Sequence, residues 1–204
     1  MGELETGKHY TIEEYLRLEE QATERHEYEN GLILEMSGGT INHSAICSNV
    51  GYALESAVRK NGSGCRVYNS DLRIRIEKVD SFVYPDVAIS CGKIERALTD
   101  IESLINPIVI VEVLSKSTEG YDYGEKFQKY MTLDTLQEYV LVNQYRPIVQ
   151  VFNRQNAEMW GTKVLKGLEA VLHLQSLDLD ISLADIYYNI QGLETQLWVR
   201  EEEK

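Results

Sequence analysis

The sequence predicts an α/β domain with a mixed central β-sheet flanked by helices. Three observations carry this prediction. Apolar residues recur at helical spacing in three long segments, six other segments read as strands, and the two kinds are interleaved along the chain. With 204 residues, 43% of them hydrophobic and 26% charged, the chain has ample material for a buried core, and residues 1–204 are read as a single domain.

The elements follow in order. Thr11-Ile12-Glu13-Glu14 has the form of a capping box, which starts a helix running to about Ala22 with Ile12, Tyr15 and Leu16 facing inward. Tyr28 to Leu34 reads as a hairpin turning at Asn30-Gly31. His43, Ile46, Cys47, Val50, Leu54, Ala57 and Val58 mark a long amphipathic helix that ends near Asn61-Gly62. Leu72, Ile74 and Ile76 alternate with polar residues as a half-buried strand does, and further strands are expected over 83–90 and 108–114. A helix over 120–133 buries Phe127, Tyr130 and Met131. Strands over 138–143, 148–153 and 159–165 follow, and then a short helix capped by Ser182.

Charge and cysteine content narrow the function classes. A formal net charge of −13 opposes nonspecific binding to nucleic acid, so a nucleic-acid surface requires a local basic patch or bound metal ions. Cys47, Cys65 and Cys91 are odd in number and lack metal-site spacing, which predicts reduced, mostly buried thiols and a cytoplasmic setting. The stretch from Met1 to Thr11 is polar and no apolar run approaches the thickness of a bilayer, so neither a leader nor a membrane span is expected.

Two carboxylates stand where apolar residues belong. Glu112 interrupts the continuous β-branched run Ile108 to Leu114, the pattern of a strand covered on both faces. A buried, uncompensated charge there costs on the order of several kcal/mol. Asp86 interrupts a second apolar strand directly after Pro85, which lacks a ladder donor. Two such acids on neighbouring strands suit a hard divalent cation, Mg²⁺ or Mn²⁺. The competing structural readings are that Glu112 pairs with a core arginine and that Asp86 merely ends a strand.

Pro85-Asp86, Glu112-Val113-Leu114-Ser115 with Ser117-Thr118, and then Asp122, Lys126 and Tyr130 resemble the motifs of the Uma-type restriction endonuclease family. That family belongs to the PD-(D/E)XK nuclease superfamily. The resemblance runs from Tyr10–Tyr15 through Glu27 and Gly31 to Glu138-Tyr139. It implies a restriction-endonuclease-like fold and a divalent-metal-dependent endonuclease acting on DNA, with Asp86 and Glu112 as metal ligands and Glu27 as a further acidic site residue. The superfamily's usual lysine lies two residues after the acid, where this chain has Leu114. The resemblance implies a lysine that has migrated to Lys126, which shares a helical face with Asp122 and Tyr130 at i, i+4 spacing; Lys116 is the other candidate. His43 matches a family position, but a lone histidine on an apolar stripe reads as a capping or core residue. Arg73 and Arg75 read as a solvated sheet face or as phosphate contacts.

By analogy with two-strand cleavage, a homodimer is expected. Leu114 and the acidic charge motivate an alternative function, a catalytically inactive module of the same fold that recognises protein or DNA. A third reading is a hydrolase using the same two acids on RNA or small phosphodiesters.

Overall fold

A computed structural model describes residues 8–36 and 38–194 of the chain. The polar start expected over Met1 to Thr11 falls mostly outside them. The capping box forms as the sequence predicts: Thr11 Oγ1 accepts from the Glu14 N–H, and Glu14 Oε2 accepts from the Thr11 N–H at 2.8 Å. It starts helix α1 (Ile12–Glu19), which buries Tyr15 fully. Strands β1 (His26–Glu29) and β2 (Leu32–Glu35) form the hairpin, with Asn30 and Gly31 both at positive φ (46° and 91°) as a two-residue turn requires. Helix α2 (Ile41–Asn61) buries Ile46, Val50, Leu54 and Val58 along one stripe.

The next strands are β3 (Cys65–Asn69), β4 (Arg73–Ile76), β5 (Ser81–Val83), β6 (Val87–Cys91), β7 (Ser103–Leu104) and β8 (Val109–Leu114). Helices α3 (Glu119–Tyr123) and α4 (Glu125–Met131) precede β9 (Glu138–Asn143), β10 (Ile148–Arg154) and β11 (Trp160–Lys166). The hairpin of β12 (Val171–Leu174) and β13 (Leu179–Ser182) leads into α5 (Leu183–Ile186), where Ser182 caps as expected.

Two sheets form the frame. The six-stranded sheet has the order β11-β10-β9-β8-β6-β3 and is mixed, because β8 and β9 run parallel while the other neighbours are antiparallel. The five-stranded sheet has the order β2-β1-β5-β4-β7. Side-chain alternation on β8 sends Val109, Val111 and Val113 into the core beneath α2. The same alternation sends Ile110 and Leu114 into the opposite core with Phe127, Tyr130 and Tyr139. Glu112 shares that second face.

Three expectations need correction. The single strand expected over 83–90 is two strands in different sheets, β5 and β6, because Pro85 cannot donate to a ladder and the Tyr84 N–H is bound by the Glu27 carboxylate. The helix expected over 120–133 is two helices, broken at Gly124 (φ −106°, ψ −99°). Cys65 and Cys91 are joined as a disulfide: the antiparallel register of β3 on β6 sets them directly opposite, with Cα atoms 3.9 Å apart. A 26-residue separation in sequence hides this pairing, and Cys47 alone is a free thiol. The cytoplasmic setting expected from three reduced thiols loses that support. Among the described residues, no helix is long and apolar enough to cross a membrane.

Candidate active site

Asp86 lies where the chain leaves one sheet for the other. Tyr84, Pro85 and Asp86 bridge β5 and β6, and the Asp86 carboxylate Oδ2 accepts from the Val113 N–H on neighbouring β8 at 2.7 Å. In return the Asp86 N–H donates to Glu112 Oε2 at 3.3 Å. This reciprocal pair holds both acids at one end of the central strands.

Glu112 is buried, and the cation that compensates it is Lys126 on α4, with Nζ 3.0 Å from Glu112 Oε1. The Tyr130 hydroxyl donates to the same oxygen at 3.2 Å. The Lys126 ammonium also lies 3.3 Å from Glu27 Oε1, donates to the Tyr84 carbonyl at 3.1 Å and stands 4.0 Å from Asp122 Oδ1. Glu27 in turn accepts from the Tyr84 N–H at 3.2 Å and from the Tyr121 hydroxyl at 2.7 Å. Asp86, Glu112, Lys126 and Glu27 therefore converge from four separate elements, and all four line one cleft of about 330 Å³.

Of the two candidate lysines, Lys126 is the one that reaches Glu112. Leu114 points to the same sheet face as Glu112 but is packed in the apolar core. Lys126 reaches the acid from the helix covering that face. Lys116 is exposed, beyond the strand end, and lies over the Tyr145 ring at 5.3 Å. Burial alone would discharge Lys126, but the carboxylates of Glu112, Glu27, Asp122 and Asp86 outweigh it and hold its pKa above the ordinary value. A lysine held charged stabilises negative charge and is not a base.

His43, at the start of α2, is brought to the site as well. Its Nε2 lies 3.3 Å from Asp86 Oδ2, and Gly39 leaves room for the ring, since a Cβ there would meet His43 Nδ1 at 2.9 Å. Burial lowers the imidazole pKa, but the adjoining Asp86 carboxylate prevails and raises it. Asp86 itself is held low: burial works against its charge, and the His43 contact and the Val113 N–H overcome that. Cys47 stands one helical turn beyond, 3.5 Å from His43 Nδ1. Burial, with Asp86 nearby, pushes its thiol up, the opposite of what an activated nucleophile needs.

Arg73 and Arg75 lie on neither a solvated face nor this cleft. Arg73 is held by Asp100 at 2.6 Å, and Arg75 is buried against Phe82 with Asp80 as its partner.

Residues 12–184 match the Uma2 family, described as "Putative restriction endonuclease". The chain belongs to the Uma2 family. Two uncharacterized Synechocystis sp. proteins are similar to this Uma2 chain. The protein slr1290 is 35% identical over 175 residues, 86% of this chain and 90% of its own length. The protein sll1609 is 33% identical over 165 residues, 81% and 92% of the respective lengths. The crystal structure of "a putative nuclease belonging to DUF820" from Anabaena variabilis shares the fold, with a TM-score of 0.68 at 22% identity over 87% of this chain and 97% of that one. The restriction-endonuclease-like α/β fold is thus the fold of this Uma2 chain.

Sequence reasoning set His43 aside and did not single out Tyr84 or Tyr121. For His43 a signal was available: with Cys47 it forms an i, i+4 pair on one helical face. Tyr84 acts through its backbone carbonyl, which leaves no trace in residue type.

Proposed function

We propose that this Uma2 protein is a divalent-metal-dependent endonuclease that hydrolyses DNA phosphodiester bonds. One observation carries the reading: Glu27, Asp86, Glu112 and Lys126, from β1, the β5–β6 crossing, β8 and α4, meet in a single cleft. Asp86 and Glu112 would hold Mg²⁺ or Mn²⁺. The donor set fits such an ion, since four carboxyl groups (Glu27, Asp86, Glu112, Asp122) surround one lysine, and burial pushes the Glu112 and Asp122 carboxyls up, so that a second cation in the cleft would favour their ionised forms. A bound ion supplies Lewis-acid neutralisation of the phosphodiester and a more acidic attacking water. Lys126, kept charged by its acidic neighbours, stabilises the charge that builds on the phosphate. Glu27, fixed by the Tyr121 hydroxyl and the Tyr84 N–H, orients that ammonium. Two copies related by a two-fold axis would present two such clefts to the two strands of a duplex.

The experiment is cleavage of supercoiled DNA by the purified protein with Mg²⁺, with Mn²⁺ and with chelator. Nicking is expected only with metal, and Asp86→Asn and Glu112→Gln each abolish it. Full cleavage by both variants would reject the ligand assignment. The inactive-module reading is favoured by one observation, that Lys126 Nζ already has three acceptors within the chain: Glu112, Glu27 and the Tyr84 carbonyl. It expects no cleavage of DNA, RNA or small phosphodiesters with any divalent ion.

A further inference from the structure

We propose that His43, Cys47 and Asp86 form a three-donor site for a borderline divalent cation of the Zn²⁺ type, with a fourth position open to the cleft. This goes beyond the nuclease reading: it shares Asp86 with the proposed Mg²⁺ pair but needs neither Glu112 nor cleavage.

The three residues are brought together by two elements. His43 and Cys47 lie four residues apart on α2 and so share one face, which packs toward the start of β6 where Asp86 sits. One donor atom from each, an imidazole nitrogen, the thiol sulfur and a carboxylate oxygen, all lie within 4.8 Å of one another. His43 Nε2 and Asp86 Oδ2 are 3.3 Å apart. Tetrahedral zinc, with bonds of about 2.0–2.3 Å, sets its ligand atoms roughly 3.3–3.7 Å from each other. One edge of that tetrahedron is therefore already present. Cys47 Sγ lies 3.5 Å from the other ring nitrogen, Nδ1, so one ion, which takes a single ring nitrogen, requires the thiol and the imidazole to readjust, with the donors closing by at most about 1–1.5 Å.

The donor chemistry selects the ion. A nitrogen, a sulfur and an oxygen suit zinc or cobalt, whereas Mg²⁺ takes oxygen and has no use for a thiolate. Three protein ligands with a vacancy is the arrangement of reactive zinc sites, in contrast to closed structural ones. The cluster borders two cavities: His43 and Asp86 line the cleft of about 330 Å³, and Cys47 and Asp86 line a second cavity of about 600 Å³. The site is supported as well as formed. Thr40 Oγ1 accepts from the His43 N–H at 3.1 Å and so caps the helix that carries both α2 donors, while the Val113 N–H fixes the Asp86 carboxylate.

Titration of the whole protein with Co²⁺, followed by absorption spectroscopy under non-reducing conditions, tests the proposal. The expected result is a near-ultraviolet thiolate-to-cobalt charge-transfer band and visible bands of tetrahedral intensity, saturating at one equivalent and bleached by Zn²⁺. Cys47→Ser should remove the charge-transfer band, and His43→Ala should weaken Co²⁺ binding at least tenfold. The double variant Cys65→Ser/Cys91→Ser should keep the band, which assigns it to Cys47. Glu112→Gln should keep it too, so a protein that shows the band yet cleaves no DNA fails the nuclease reading alone. Absence of the band in the wild type, or its persistence in Cys47→Ser, overturns the site and leaves an ordinary His–Asp ion pair beside a thiol.

Discussion

The Lys126 ammonium lies 3.0 Å from Glu112 Oε1, an ion pair between α4 and β8 in which both partners are buried. The same ammonium reaches Glu27 on the other sheet, so one cation compensates acids from both halves of the structure. Breaking a buried pair from one side leaves the remaining charge stranded in a low-dielectric environment. Removing both sides leaves less to compensate.

Lys126→Met is accordingly expected to destabilise the fold by about 3–5 kcal/mol, the range for loss of one partner of a buried pair. The double variant Lys126→Met/Glu112→Gln should recover a substantial part of that loss. Urea denaturation at neutral pH checks both, and a single variant with an unchanged midpoint would show that the pair carries no stability.

Tyr121→Phe removes the hydroxyl that donates to Glu27 Oε2 at 2.7 Å. A hydrogen bond to a charged group contributes roughly 1.5–3 kcal/mol. The variant should lose stability on that scale and, by loosening the acid that orients Lys126, slow DNA cleavage by about tenfold or more. Stability and single-turnover cleavage measured on the same preparation separate the two effects. Loss of stability with an unchanged cleavage rate would count against Glu27 as a positioning residue.

Acid stability should depend on Asp100. Burial raises its pKa, but the Ser103 hydroxyl and the Arg73 guanidinium outweigh burial and hold the carboxyl below the ordinary value. The folded pKa is below the unfolded one, so the stabilisation is fully present above about pH 4 and is lost as pH falls through the folded value. Asp100→Asn should flatten the decline in stability on the acid side while lowering stability near neutrality. Thermal melts across the acid range provide the check, and a slope identical to wild type would reject the assignment.

Reducing the Cys65–Cys91 bridge should also cost stability. A crosslink spanning 26 residues restricts the unfolded chain by about 3.5 kcal/mol in the chain-entropy account. Reductant should lower the denaturation midpoint by a corresponding amount. Thiol counting in denaturant without reductant should find Cys47 only; three reactive thiols would exclude the bridge.

Much of the candidate site was legible because burial and charge conflict. Glu112 stands out in a β-branched run that excludes ions, and Asp86 stands out beside a proline in an apolar strand. Lys126 was legible through its helical spacing to Asp122 and Tyr130, although Gly124 breaks the helix between them without separating the two charges. Less visible was everything that depends on pairing across the sheets. Cys65 faces Cys91 only because β3 docks antiparallel on β6. Strands β3, β12 and β13 lack a local pattern strong enough to mark them and are stabilised by their neighbours. His43 was discounted because a histidine on an apolar stripe gives no hint that a carboxylate will arrive from another strand.

The crossing at Tyr84, Pro85 and Asp86 has a consequence for how this fold can vary. Three residues span about 10 Å at full extension, so the strap between the two sheets has little slack. It delivers the Tyr84 carbonyl to Lys126 at one end and the Asp86 carboxylate to the cleft at the other. Lengthening a surface turn leaves such a site in register, whereas a single residue inserted here would uncouple the acid from the lysine. Length at this point is thus as much a part of the site as the identity of the residues themselves.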